Sequence, residues 1–292
     1  MKRIVRIFSK PAPNLTHLEL VAFASQGDSM PFPSFFGLEF PRLRVLKVVC
    51  VEDWPEIVGV NLTRITINFS LTPWILKRCI PYSPNLKVLK IQGVWRFDEP
   101  DLTGWQRITL PPGVRLVLQY VEVCPRILAL FALPRDSQLK VIPSMGSDPD
   151  EQLLSYVLPT EISHLHNLHT LTRLHIKVHV DVGIFLELRC FRLDQLVFEV
   201  DVGCAFPTVA QGEALPVMRF LGSLHQIVLR GVEELRMEGP FGPVEPQEIE
   251  FPTLLKRMPA LTRLITTGGN EETLRSALDS LGCRAVVIRV EG

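Results

Sequence analysis

Apolar residues recur along this chain in one short phrase, L-x-x-L-x-L, with other apolar residues allowed at each L position. Leu15-Thr-His-Leu18-Glu-Leu20 is the first copy, followed by the copies that begin at Leu43, Leu62 and Leu86. Trp105-Gln-Arg-Ile108-Thr-Leu110 is a weaker match. Further copies begin at Leu171, Leu193, Leu224, Leu261 and Cys283. Strand side chains alternate between two faces, so the fourth and sixth residues of the phrase share one face of a short strand. The first residue turns inward just before that strand. One such strand cannot bury its apolar face alone, but stacked neighbours form a parallel sheet over a continuous core.

Helix signals fall between the copies. Thr72 can N-cap and Pro73 can open the segment TPWILKRCI, with Lys77 and Arg78 in its last turn, where the helix dipole favours cations. Asn270 can cap EETLRSALDSL, and Gly282 is a C-cap candidate. Pro252 opens TLLKRM. Asp148, Pro149 and Glu151 fit a capping box for EQLLSYVL, a simpler reading than a carboxylate site. The copies lie roughly 19 to 37 residues apart, near the period of leucine-rich repeats. This predicts an α/β fold: a leucine-rich-repeat solenoid with a parallel sheet on the concave side and short outer helices. Residues 1–292 read as a single divergent repeat domain, irregular over 95–153. Two Pro/Gly-rich loops, 25–41 and 238–252, interrupt the array and are candidate binding loops.

Composition narrows the function classes. The chain has 292 residues, 47% of them hydrophobic and 21% charged, and a formal net charge of zero. A dedicated nucleic-acid or anionic-membrane binder carries a basic excess, so neither partner is expected. No apolar run reaches the ~18 residues of a membrane span, and MKRIVRIFSK lacks the apolar stretch of a secretory signal. The expected compartment is the cytoplasm or nucleus, with reduced, buried thiols. No C-x-x-C pair, P-loop, G-x-G-x-x-G or G-x-S-x-G occurs, so no cofactor is expected and the reading is a non-enzyme.

Five of the seven histidines crowd the stretch 158–179. His164, His166 and His169 fill variable positions of a regular ladder, P-x-x-I-x-x-L-x-x-L-x-x-L-x-x-L-x-I. His175, Lys177 and His179 alternate with apolar residues and point to the solvent side of a strand. His175 and His179 would stand ~13 Å apart there, too far to share a zinc ion. No metal site is expected. The exposed pair offers instead a contact that titrates near pH 6.5.

The phrases APNLTHLEL, FPRLRVLKV, LTPWILKRCIPYSPNLKVLKIQG and MPALTRLI resemble the repeat regions of fungal F-box/leucine-rich-repeat proteins. The resemblance spans nearly the whole chain and is strongest over residues 11–95. It implies the substrate-recognition arm of an SCF-type ubiquitin ligase. The chain departs from the family in lacking an F-box before the first repeat. LPTEI, at Leu158, can begin an F-box, but the repeat ladder takes over at once. The sequons at Asn14 and Asn61 belong to the repeat phrase N-L-T.

The function that follows is protein binding through the concave face of an F-box-type adaptor lacking its F-box, or of a repeat scaffold unrelated to ubiquitination. The expected contact positions are His17, Glu19, Val45, Lys47, Arg64, Thr66, Val88, Lys90, His175, Lys177, Val197, Glu199, Val228, Arg230, Arg263 and Ile265. Cations dominate them, which points to an acidic segment on the partner.

Overall fold

The computed structural model of the chain describes residues 13–21, 40–49, 61–68, 76–93 apart from 78, 106–121, 124–143, 157–180, 184–204, 229–239 and 250–267, with isolated positions at 227 and from 275 to 289. The expected caps at Thr72, Pro73, Asp148, Pro149, Glu151 and Asn270 lie outside them, as do most of both Pro/Gly-rich loops. The fold is α/β, with few helices and one large, open, mostly parallel sheet.

Four strands follow the first four copies of the phrase: β1 (His17–Val21), β2 (Val45–Val49), β3 (Arg64–Asn68) and β4 (Val88–Gln92). They pair in parallel and in register, Leu18 beside Leu46, Ile65 and Leu89. One backbone joint recurs between units. The carbonyl of Thr16 accepts both Arg44 N–H (2.8 Å) and Val45 N–H (3.0 Å). Arg44, Thr63, Thr172 and Glu233 accept the next unit's paired N–H groups in the same way. The L-T-R phrase reinforces this joint. Thr63 Oγ1 donates to the Arg44 carbonyl at 3.2 Å, and Thr262 Oγ1 to the Glu233 carbonyl at 3.1 Å. The threonine of the sequon-like N-L-T is therefore a structural hydroxyl.

The middle of the chain is more regular than its sequence suggests. Strands β6 (Arg115–Val121) and β8 (Gln138–Pro143) continue the sheet beside β4. Each follows a unit one residue shorter than the phrase: Val114-Arg-Leu116-Val-Leu118 after Pro111, and Ser137-Gln-Leu139-Lys-Val141 after Pro134. The turns Val114 N–H to Pro111 carbonyl (3.4 Å) and Ser137 N–H to Pro134 carbonyl (3.1 Å) match Leu86 N–H to Ser83 carbonyl (3.0 Å). The weak copy at Trp105 does not join this sheet. Its strand β5 (Ile108–Thr109) pairs with β7 (Phe131–Ala132) in a separate two-stranded ladder, beside helix α1 (Cys124–Ala129).

The second half departs from simple stacking. From β8 the chain runs to β9 (Arg173–Val180), returns along β10 (Ile184–Arg192) and comes back along β11 (Gln195–Cys204), which pairs in parallel with β8. The sheet order is β1-β2-β3-β4-β6-β8-β11-β10-β9-β12-β13-β14. The Leu193 copy is thus not the next parallel neighbour of the Leu171 copy, because antiparallel β10 stands between them. Beside β9 in the sheet lies β12 (Glu234–Glu238), on the unit Val232-Glu-Glu-Leu235-Arg-Met237; most of the Leu224 copy lies outside the described residues. Helix α2 (Glu250–Lys256), strand β13 (Arg263–Thr266) and strand β14 (Val286–Arg289) complete the order. Gly282, at φ +64, ends the preceding helical turn, with its N–H on the Asp279 carbonyl at 3.0 Å, as a C-cap glycine does.

One inward row crosses all twelve strands of the main sheet: Leu18, Leu46, Ile65, Leu89, Leu116, Leu139, Phe198, Cys190, Leu174, Leu235, Leu264 and Val287, all buried. A second runs from Leu20 to Met237, two residues further along each parallel strand and two residues earlier, at Leu188, in antiparallel β10. Burying each large aliphatic side chain contributes about 1.5–3 kcal/mol, which fixes which face is core. Among the described residues, no helix is long and apolar enough to cross a membrane.

Candidate functional site

With one face of every strand committed to the core, the side chains between the inward rows form the opposite face. A single register line runs across it: Glu19, Lys47, Thr66, Lys90, Val117, Lys140, Glu199, Arg189, His175, Arg236, Ile265 and Ile288. Most of the expected contact positions lie on this face. His17, Glu19, Val45, Lys47, Arg64, Thr66, Val88, Lys90, His175, Lys177 and Arg263 are exposed or half-buried on it.

Four expectations need correction. Val197 is fully buried, because a β-bulge against β10 leaves it between the register partners Leu196 and Phe198. Ile265 occupies the outward line but is buried. Arg230 is exposed in the turn before β12, so it sits on no strand, and Val228 lies outside the described residues. Glu199 is on the face as expected, yet only 7% exposed.

Glu199 is the centre of a charge lattice. Lys140 Nζ stands 3.2 Å from its carboxylate, Arg189 Nε 3.5 Å and Arg115 3.9 Å. Lys140 also reaches Asp201 at 2.6 Å, and Arg189 pairs with Glu187. Burial acts to lower the Lys140 pKa, but the hydrogen bonds and charges of Asp201 and Glu199 outweigh it and raise the ammonium above its ordinary value. Glu187, Glu199 and Asp201 offer oxygens within 4.8 Å of one another, a spacing a cation could use. In this fold Lys140 and Arg189 already occupy that position.

The lattice continues along β9 and β12. Glu238 receives His175 Nε2 at 3.4 Å, Lys177 Nζ at 3.8 Å and a hydrogen bond from Arg236. Burial acts against its carboxylate, but the Arg236 bond and the neighbouring positive charges prevail and hold it below the ordinary range. Burial pushes the His175 imidazole below its ordinary value, against the pull of Glu238 and with Arg236 and Arg189 adding to the fall. A histidine contact titrating at pH 6.5 is therefore displaced to lower pH at this position. His164, expected at a variable position, is buried, and burial with Arg107 nearby lowers it too. Arg263 pairs with Glu234 at 2.9 Å.

The two halves of the face differ. On β1, β2, β3, β4 and β6 the outward positions carry Lys47, Arg64, Lys90 and Arg115 against one carboxylate, Glu19, which pairs with Lys47 at 2.7 Å. From β8 onward nearly every cation meets a carboxylate. Sequence reasoning missed Arg115, Lys140, Glu187, Arg189, Asp201, Glu234, Arg236 and Glu238. The shortened units after Pro111 and Pro134, and V-x-x-L-x-M at Val232, are the signals that would have found most of them.

Cys79, Cys124 and Cys190 are free and buried. Burial pushes the thiols of Cys79 and Cys124 up to about 12 and raises Cys190 as well, so these sulfurs are protonated packing groups. Compared with protein-family models, curated proteins and solved structures, the chain matches none.

Proposed function

We propose that this chain is a leucine-rich-repeat solenoid that binds a protein partner through the outward, concave face of its sheet. The observation that carries this reading is the uninterrupted line of outward side chains across the twelve strands of the main sheet, most of them polar and partly exposed. A sheet surface of this kind presents side chains at a fixed spacing on a rigid frame, which suits recognition of a macromolecular surface. The non-enzyme reading belongs with it: the cations and carboxylates of β8 to β12 are engaged with one another, and the buried described thiols are protonated.

Within that reading, the substrate-recognition arm of an F-box-type ubiquitin ligase adaptor rests on the resemblance of the repeat phrases. The alternative is a repeat scaffold or regulatory protein unrelated to ubiquitination. Two experiments test these readings. A photo-crosslinking amino acid at Thr66 or Val117, on the face, is expected to give discrete protein adducts that the same group at Lys256, on α2, does not. Equal labelling from all three positions would remove the face as the binding surface. Mixing the purified chain with the linker protein of the SCF ligase tests the adaptor reading. No complex would leave the scaffold reading and end the ligase one for this chain.

A further inference from the structure

On the strands β2 to β6 the four cations form a zigzag. Lys47 and Lys90 lie on one register line, with Thr66 between them and Val117 beyond. Arg64 and Arg115 lie on the line two residues earlier, with Val45 before them and Val88 between. Arg64 and Lys90 make no ion pair among the described residues, and Arg115 meets Glu199 only at 3.9 Å. Neighbouring strands are about 4.8 Å apart, so cations on one line repeat every two strands, at about 10 Å. A peptide in the polyproline II conformation advances about 3.1 Å per residue with three residues per turn, so carboxylates three residues apart share one face and match this repeat. Valines between the cations leave apolar ground for the side chains between those carboxylates. The next line, Asn68, Gln92 and Gln119, offers amides to a backbone lying across the strands.

Among the described residues, one exposed aromatic ring stands at the C-terminal end of β6. Tyr120 is 49% exposed and held at φ 53, at an irregularity between the register pairs Gln119–Ile142 and Val121–Pro143. A bulky residue in left-handed backbone is strained, and such strain persists where the surroundings enforce it. An exposed aromatic ring is a frequent anchor of a protein contact.

We infer that the β2 to β6 face takes an extended acidic segment of a protein partner, laid across the strands with a carboxylate at about every third residue and anchored against Tyr120. The inference rests on the protein-binding reading above and names the chemistry of that partner. The self-neutralised half from β8 onward takes no part in this contact.

Fluorescence anisotropy of the full chain with a labelled twelve-residue peptide, aspartate at every third position and valine or serine between, tests it. The expected result is binding at least about tenfold tighter than to a peptide of the same composition with its aspartates clustered. Arg64→Glu and Lys90→Glu should each weaken binding by about tenfold or more, Arg64→Ala by less, and Lys256→Glu not at all. Tyr120→Gly should weaken binding while leaving stability equal or higher, since glycine accepts the left-handed backbone. Equal affinity for the two peptides, unchanged binding by Arg64→Glu, or equally tight binding of a single-stranded oligonucleotide would overturn the inference. Crosslinks from Thr66 and Val117 that persist in excess spaced peptide would sink the acidic-segment inference alone and leave the protein-binding reading intact.

Discussion

Two ion pairs on the same face should contribute very differently to stability, and the shorter one should contribute less. Glu19 and Lys47 approach to 2.7 Å, but their side chains are 52% and 40% exposed. Glu199 and Lys140 are 3.2 Å apart, with side chains 10% and 21% exposed. Coulomb's law with an effective dielectric constant of 20 gives either pair about 5–6 kcal/mol before desolvation and entropy. Exposed pairs retain about 0–1 kcal/mol of that, because water screens them and the side chains lose freedom. Breaking a buried pair costs about 3–5 kcal/mol, because the remaining charge is stranded. Glu199→Gln keeps the shape and removes the charge. Lys140 retains Asp201 and Arg189 retains Glu187, and Arg115 and Arg189 are themselves more than a third exposed, which reduces the penalty. The expected loss is about 2 kcal/mol, against about 0.5 kcal/mol or less for Glu19→Gln.

Urea unfolding followed by circular dichroism measures both, at about 0.15 M and 1 M salt, with screening lengths of about 8 and 3 Å. The Glu19→Gln difference should vanish in high salt, and most of the Glu199→Gln difference should persist. A double-mutant cycle of Glu199→Gln with Lys140→Met should give a coupling of about 1–2 kcal/mol. Equal costs for the two glutamates, or a Glu199→Gln protein within about 0.5 kcal/mol of the parent, would show that burial does not set the ranking.

Three further outcomes follow from the same coordinates. At Gly239, φ +118, an added Cβ would meet the Val178 carbonyl oxygen at 2.1 Å, whereas at Gly282 it meets nothing within 4 Å. Gly239→Ala should therefore cost at least about 2 kcal/mol and Gly282→Ala about 1 kcal/mol, read from urea midpoints. His164 and His175 titrate below their ordinary value of 6.5 in the fold, so the unfolded chain binds more protons and stability falls as pH drops below 6.5. His175→Gln should remove part of that slope below pH 6.5, and an unchanged profile would refute the assignment. Cys79, Cys124 and Cys190 should resist iodoacetamide in the native protein and react in urea, by mass spectrometry of the labelled peptides.

The strand faces were legible because burial follows the period-two pattern wherever the phrase L-x-x-L-x-L is intact, as at Leu43 and Leu86. The middle was not, because Val114-Arg-Leu116 and Ser137-Gln-Leu139 each drop one residue and so break the phrase while keeping the turn geometry. Leu224-His-Gln-Ile227-Val-Leu229 matches the phrase but precedes the strand, since the adjacent Val232-Glu-Glu-Leu235-Arg-Met237 also matches and forms the Val232 N–H to Leu229 carbonyl turn. Spacing alone gives no means of choosing between two adjacent matches. Strand β10 escaped notice because FLELRC alternates without the leading leucine, and nothing local to a sequence reports that its neighbour in space is antiparallel.

That missed strand decides how the face is charged. Sequential stacking would have set β9 directly beside β8 and β11 beyond it, with His175 facing Lys140. The observed reversal brings β11 against β8 and inserts β10, so Glu199 lies between Lys140 and Arg189 and Glu187 lies between Asp201 and Lys177. Cations that the chain order leaves unmatched are thereby neutralised within the sheet. A ligand carboxylate offered to Lys140 or Arg189 would have to displace an acceptor already in place, losing one charge pair for each it forms. Offered to Arg64 or Lys90, it displaces no carboxylate among the described residues. The cationic character read from the sequence as a property of the whole face thus narrows to β2 to β6, and salt dependence of binding should follow that half alone.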